Sequence, residues 1–227
     1  MTKPSLLRRG FLGGLAGLAA GPALAQGVRR VTMLGDSITA GYGLNAREAT
    51  PAQLEAELRR IGMAAKVTAA GVSGDTTAGG LARVAFSVKP DTEVCIVALG
   101  GNDLLQGQDV QAMTRNLSAI VAKLQARKIA VILAGVKAPP VIGAAYARDF
   151  NAAFAKVARE RKVAAFYPDL LDGVQGVGGR VRLRDTAGDH RRGRFHSLHR
   201  ALGVGPDAVE NRANLACRLA RSFGELA

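Results

Sequence analysis

Short apolar runs alternate along the chain with segments in which apolar residues recur every three or four positions. The short runs have no polar side, which is typical of strands buried on both faces of a parallel sheet. The strands predicted in this way are Val31–Leu34, Ala65–Ala70, Val94–Leu99, Ala130–Ala134 and Val163–Tyr167. The periodic segments predict helices at Ala46–Ile61, Thr76–Val88, Val110–Arg127 and Gly143–Arg161, and a last one at Pro206–Glu225.

This alternation predicts the class of fold. Strands that alternate with helices form a parallel sheet, and the helices that connect them cover both of its faces. We therefore expect a three-layer, doubly wound α/β domain. The length of 227 residues and the apolar fraction of 48% fit one domain, which we place at residues 26–227.

The first 25 residues differ from the domain that follows. Arg8 and Arg9 precede an apolar stretch rich in glycine, alanine and leucine, and Ala23–Ala25 has the small-residue pattern of a cleavage site. We expect a twin-arginine signal peptide over residues 1–25 and a mature chain that is periplasmic or secreted. The alternative is an uncleaved anchor, for which this glycine-broken run is short. After cleavage we expect no stable insertion in a membrane.

Charge and cysteine content add little to this interpretation. The formal net charge of +13 suggests acidic partners. However, basic residues are not interleaved with aromatic ones and no zinc-ligand spacing occurs, so we expect no nucleic-acid partner. Cys95 lies in a predicted strand and Cys217 in the last predicted helix. We interpret Cys95 as a small buried thiol, with a disulfide as the alternative.

Three predicted loops follow three strands at one edge of the sheet, and they offer Ser37, Gly71 and Asn102. Ligands of open α/β sheets bind at this carboxyl edge. Acyl transfer needs a nucleophile and hydrogen-bond donors directed at an oxyanion. A serine supplies both a hydroxyl and an N–H, a glycine N–H is accessible because no Cβ covers it, and an asparagine amide adds a donor. We therefore predict that Ser37 is a nucleophile beside an oxyanion hole, and that Asp36 orients its loop.

Three segments of the sequence resemble, in order and spacing, signature blocks of the SGNH (GDSL-type) hydrolases. They are Gly35–Gly43, Ala70–Thr77 and Gly100–Asp103, within a similarity that runs from about Val31 to Gly173. The branch of periplasmic arylesterases, thioesterases and lysophospholipases is the most similar. The resemblance implies a flavodoxin-like five-stranded sheet and a serine esterase that forms an acyl-enzyme on Ser37. Its oxyanion hole would comprise the N–H groups of Ser37 and Gly71 and the side chain of Asn102. It further implies a small-molecule ester or thioester substrate, a monomer, and neither a metal nor a cofactor.

The fourth block of that family, Asp-x-x-His followed by proline, is missing. No aspartate stands three residues before any histidine of the chain; the histidines are His190, His196 and His199. The expected position of the general base falls within a few residues of His190, whose nearest carboxylates are Asp185 and Asp189. We take His190 as the candidate base, with the other two histidines as alternatives.

Residues 173–205 are rich in arginine and glycine and have little periodicity. They are interpreted as a solvated loop, as a disordered segment, or as the product of a frameshift in a GC-rich gene that erased the fourth block. Translation of the other two reading frames tests the last interpretation. The alternative function is accordingly a catalytically impaired SGNH-like protein, either a pseudoenzyme or a frameshifted product, with an intact oxyanion pocket and no turnover.

Overall fold

The computed structural model describes residues 28–171 and 219–220. Its strands are β1 Arg29–Gly35, β2 Ala65–Gly71, β3 Val94–Ala98, β4 Ala130–Ala134 and β5 Ala165–Tyr167. Its helices within residues 28–171 are α1 Ser37–Ala40, α2 Thr50–Arg60, α3 Thr77–Ser87, α4 Gly101–Leu105, α5 Val110–Ala126 and α6 Ala144–Glu160. A single 3₁₀ turn, Pro140–Ile142, precedes α6.

The five strands form one parallel sheet in the order β2-β1-β3-β4-β5. In this flavodoxin-like order the winding reverses direction between β1 and β3, and a crevice opens at the carboxyl ends of these two strands. The predicted class of fold, a doubly wound five-stranded sheet between helical layers, is confirmed. The loops after β1 and β3 are those that carry Ser37 and Asn102.

The two faces of the sheet support separate cores because successive side chains of a strand point to opposite sides. Met33 and Ile96 belong to a cluster with residues of α2, whereas Leu34 and Val97 belong to a cluster with residues of α3, α5 and α6. Leu219 and Ala220 are helical and buried in the cluster on the α2 side, within the last predicted helix.

Helical spacing predicts a core face on each of the longer helices, and the structure confirms these faces in part. On α3 the predicted positions are Leu81, Val84 and Val88; the two valines are buried, and Leu81 is partly buried against the same core. All five apolar positions predicted for α5 are buried: Met113, Leu117, Ile120, Val121 and Leu124. On α2, Leu54 and Leu58 are buried as expected. The prediction that Ile61 shares their face is wrong. The helix ends at Arg60, so Ile61 serves as its C-cap and is 42% exposed.

Several element boundaries differ from the predicted ones for local reasons. The helix expected from Ala46 begins at Thr50, with Pro51 in its first turn, where a missing N–H costs nothing. The strand expected from Val163 begins at Ala165, because the Val163 N–H donates to the Ala158 carbonyl at the end of α6. Periodicity did not predict α1, α4 or the 3₁₀ turn, which are too short to show a helical repeat.

The predicted signal peptide, Cys217, the three histidines and residues 173–205 lie outside the described residues. Within the part of the chain that the structure describes, no helix is both long enough and apolar enough to span a bilayer.

Candidate active site

Ser37 is the first residue of α1 and follows β1 after a single intervening residue. That residue, Asp36, is the N-cap of α1, and its Oδ1 accepts a hydrogen bond from the Ile38 N–H at 3.0 Å. Ser37 is only 6% exposed. A Cβ at Gly35 would lie 2.9 Å from the Ala98 carbonyl oxygen, so only glycine fits where the strand turns into the helix. As predicted, Asp36 orients the loop that presents Ser37.

Gly71 ends β2, in register with Gly35 of β1. A Cβ at Gly71 would contact the Ala40 nitrogen and would lie 2.7 Å from the Asp36 oxygen, so the glycine allows α1 to pack directly on the strand. The next residue, Val72, donates its N–H to the Gly35 oxygen at 3.1 Å. The main-chain N–H and C=O groups of successive strand residues point to opposite sides. Those of Val72 point toward β1, so the N–H and C=O groups of Gly71 point away from it.

A turn follows Gly71 and carries a second glycine. The Asp75 N–H donates to the Val72 oxygen at 3.1 Å, which closes the turn around Gly74. Gly74 is exposed and has a φ of 84°, a left-handed conformation that favours glycine. Because Gly74 lies on the loop whose Asp75 carbonyl accepts from Asn102 Nδ2, we consider its N–H a second main-chain donor candidate, one that the sequence analysis did not name. Gly74 does lie within the block Ala70–Thr77, and that was the available signal.

Asn102 lies in the first turn of α4, after Gly100, whose φ of 117° also requires glycine. The side chain is buried, and its Nδ2 donates to the Asp75 main-chain oxygen at 2.8 Å. Nδ2 also lies 3.5 Å from Asp36 Oδ2, at the outer limit of a hydrogen bond. A side-chain amide has two hydrogens. One is held by the Asp75 carbonyl, so the other is only weakly engaged.

The neighbouring Asp103 anchors α4 to α3. Its carboxylate accepts from the Thr77 N–H at 2.8 Å and from the Thr77 hydroxyl at 2.6 Å. Asn116 of α5 donates in turn to that hydroxyl at 3.2 Å. Both Asp103 and Thr77 are buried. The Asp103–Thr77 bonds fix the helix that carries Asn102 against α3, and the Asn116 bond joins α3 to α5.

The structure therefore brings three of the four predicted site residues to one edge of the sheet. Ser37 and Asn102 lie on adjacent loops joined through Asp36, and Gly71 packs on the helix that Ser37 begins. His190 lies outside the described residues. Within the described ranges, no three histidine, cysteine, aspartate or glutamate side chains group in a way that could hold a metal ion.

Comparison with known proteins agrees with this geometry. Residues 33–199 match the GDSL-like Lipase/Acylhydrolase family. Esterase TesA of Pseudomonas aeruginosa is 34% identical over 200 residues, which cover 87% of this chain and 93% of that protein. Thioesterase 1/protease 1/lysophospholipase L1 of Escherichia coli is 34% identical over 129 residues, 56% of this chain and 61% of the relative.

A solved structure extends the similarity to three dimensions. AlinE4, an SGNH-hydrolase family esterase, superposes with a TM-score of 0.64 at 41% identity, over 77% of this chain and 92% of its own. A strand that ends in Gly-Asp-Ser at the switch point of a doubly wound sheet thus defines a GDSL-type serine esterase. The chain belongs to the GDSL-like lipase/acylhydrolase family, and it is a carboxylic ester hydrolase.

Proposed function

We propose that this esterase hydrolyses carboxylic esters and thioesters through a covalent acyl-enzyme on Ser37. One observation carries the proposal. Ser37 begins a helix at the carboxyl end of β1, on the loop next to the one that presents the Asn102 amide. A hydroxyl and a side-chain amide on adjacent loops of a switch-point crevice are the elements that acyl transfer needs.

The chemistry follows from these groups. Ser37 Oγ attacks the carbonyl carbon while a histidine accepts its proton, and the alcohol or thiol then leaves with that proton. Water attacks the acyl-enzyme in the second half of the reaction, which releases the acid and restores the serine. We propose His190 as the base, with His196 and His199 as the alternatives.

The tetrahedral intermediates carry a negative oxygen that hydrogen-bond donors must stabilise. We propose the Ser37 N–H and the weakly engaged hydrogen of Asn102 Nδ2 as two of these donors. A main-chain N–H between Gly71 and Asp75 supplies the third. We propose the N–H of Gly71 for this role, with that of Gly74 in the exposed turn beyond it as the alternative.

The substrate is proposed to be a small acyl ester or thioester. Apolar side chains are exposed on three loops of the carboxyl edge, namely Tyr42 after β1, Val72 after β2 and Val141 after β4. They suit contact with an acyl chain. The E. coli relative is named for both thioesterase and lysophospholipase activities. We further propose a monomer that reaches the periplasm, or is secreted, by twin-arginine export.

Hydrolysis of a short p-nitrophenyl ester by the purified protein tests the proposal. We expect turnover by the unaltered protein and a loss on the order of 10⁴-fold or more in Ser37→Ala, because the nucleophile is removed. Ser73→Ala is the matched control, since Ser73 is an exposed serine on the neighbouring loop. Single alanine variants of the three histidines then identify the base, and we expect His190→Ala to show the largest loss.

The missing Asp-x-x-His block favours one alternative, a catalytically impaired protein that retains the oxyanion pocket. It predicts that folded protein does not hydrolyse the ester while it still binds the carboxylate product. Turnover that depends on Ser37 would rule out this alternative.

A further inference from the structure

A buried arginine lies behind the proposed site. Arg83 projects from α3, is only 9% exposed, and pairs with Asp75 through a 2.6 Å contact between Nε and Oδ2. Arginine is almost never fully buried unless it is paired. Helical periodicity predicted Leu81, Val84 and Val88 as core positions of α3, but it did not single out Arg83.

The remaining donors of the guanidinium are directed at main-chain oxygens. Nη2 donates to the Gly35 oxygen at 2.8 Å, and Nη1 donates to the Ala70 oxygen at 2.9 Å. Nη1 also lies 3.2 Å from the Ser87 hydroxyl. The planar fork thus connects the ends of two strands with the Asp75 loop. A single ammonium group could not span acceptors in these different directions.

Each of these partners adjoins a group of the proposed chemistry. Gly35 ends the strand two residues before Ser37. The Ala70 carbonyl and the Gly71 N–H belong to one peptide group, so a bond to that carbonyl fixes the orientation of the N–H. Asp75 closes the turn that contains Gly74, and its own carbonyl holds Asn102 Nδ2. The guanidinium therefore holds the segment from Gly71 to Asp75 in place, whether the Gly71 N–H or the Gly74 N–H is the oxyanion donor.

We propose that Arg83 is a positioning residue of the esterase, whose guanidinium holds the β1 end, the β2 end and the Asp75 loop in the arrangement that stabilises the oxyanion. The inference rests on the proposed function. Arg83 would stabilise mainly the transition state, because preorganised donors contribute most where charge develops. A charged group on the Ala70 carbonyl also polarises the peptide and strengthens its N–H as a donor.

Arg83→Lys tests this role because it keeps the positive charge and loses the fork. With a p-nitrophenyl ester we expect kcat to fall by about ten- to a hundredfold, as displaced catalytic geometry does. We expect KM to change by less than about threefold, since ground-state contacts with the ester are untouched. Phenylboronic acid forms a tetrahedral adduct on a nucleophilic serine. Its inhibition constant should rise by about the same factor as kcat/KM falls.

Arg127→Lys is the matched control. Arg127 also donates to main-chain oxygens, those of Val88 and Lys89 at 2.8 Å, but these follow the far end of α3. We expect it to leave kcat, KM and boronate inhibition near the values of the unaltered protein. Thermal unfolding of each variant gives the temperature range in which it is folded, and the assays are done within that range.

A wild-type kcat and boronate affinity in folded Arg83→Lys would overturn the inference. So would a loss of activity that matches the loss of folded protein. If Arg83→Lys does not fold, Asp75→Asn is assayed in its place and the same outcomes apply. This substitution removes the charge of the carboxylate that accepts from Arg83 Nε and keeps the main-chain carbonyl of Asp75. A protein that shows no Ser37-dependent turnover would overturn the proposed function, and this inference with it.

Discussion

At the scale of the residue, Asn102 has a structural role and a proposed catalytic role on one amide group. One Nδ2 hydrogen is bound by the Asp75 carbonyl, and the proposal gives the other to the oxyanion. We expect Asn102→Ala to lower kcat on the order of 10²- to 10³-fold, as the loss of one oxyanion donor does in other serine hydrolases. Steady-state kinetics on an aryl ester measure this effect.

Asn116→Ala is the control for Asn102→Ala, because Asn116 bonds the Thr77 hydroxyl instead of adjoining Ser37. It should retain kcat even if it lowers stability. An Asn102→Ala variant with unchanged kcat would contradict the proposed oxyanion hole.

The sequence could predict that Ser37 and Asn102 lie at one edge of the sheet and that Asp36 orients the loop, because each follows an apolar strand at a recognisable block. Their catalytic roles stay predictions. The sequence could not predict Arg83, since most arginines in periodic helices face solvent and only tertiary contacts show a buried one. It named Gly71 and not Gly74 as the main-chain donor, and this choice stays a prediction. The direction of the Gly71 N–H depends on how β2 pairs with β1, which local patterning does not specify.

At the scale of the element, α3 and α4 are joined through the buried pair Thr77 and Asp103. We expect Thr77→Val, which keeps the shape and removes the hydroxyl, to cost about 1–3 kcal/mol of unfolding free energy. The reason is that a buried carboxylate oxygen loses its donor. Urea unfolding of both proteins measures the difference.

Thr114→Val makes the same substitution on α5 and serves as the comparison. The Thr114 hydroxyl bonds only the Val110 carbonyl of its own helix in the described contacts, so its loss should cost less than about 0.5 kcal/mol. Equal effects of the two substitutions would contradict the claim that the α3–α4 junction carries stability.

The longer elements were predictable because their patterns are strong. The run Val94–Ala98 is wholly apolar and forms the completely buried strand β3. In the periodic helix α5, every position predicted to face the core is buried. The short helices α1 and α4 were not predictable from periodicity. Each is set by a local device instead: the Asp36 side chain caps α1, and Gly100 in a left-handed conformation begins α4.

At the scale of the whole molecule, a thiol buried in the sheet lowers stability at alkaline pH. Burial in β3 raises the pKa of the Cys95 thiol from its ordinary 9.0 to about 12. The unfolded chain loses this proton near pH 9 while the folded chain keeps it, so the unfolded state binds fewer protons in that interval. Cys95 therefore contributes a loss of stability as pH rises above about 9, on the order of 1.4 kcal/mol per pH unit.

Cys95→Ala removes this contribution. Between about pH 8 and about pH 10, the unaltered protein should lose about 1.4 kcal/mol more unfolding free energy than Cys95→Ala loses. Urea unfolding at both pH values, with both proteins, measures the two differences. Parallel pH profiles would show that the thiol ionises in the folded state as readily as in the unfolded one.

The doubly wound architecture was predictable as a whole because strands and helices alternate and central strands such as β3 lack a polar face. The expectation that every strand lacks one is wrong for the edge strand β2, where Lys66 is exposed and Thr68 is half-buried. The base of the reaction was not predictable, since the Asp-x-x-His pattern that would mark it is missing and His190 was placed by chain distance alone. His190 and its two alternatives lie outside the described residues, so the choice among them stays a prediction.

Labelling with a fluorophosphonate tests whether Ser37 is the nucleophile. Attack by a serine Oγ on phosphorus forms a stable P–O bond and expels fluoride, and peptide mass spectrometry locates the adduct. We expect one adduct, on the peptide that contains Ser37, and none in folded Ser37→Ala. Hydrolytically active protein with an adduct on another residue, or with no adduct, would contradict the role of Ser37 as the nucleophile.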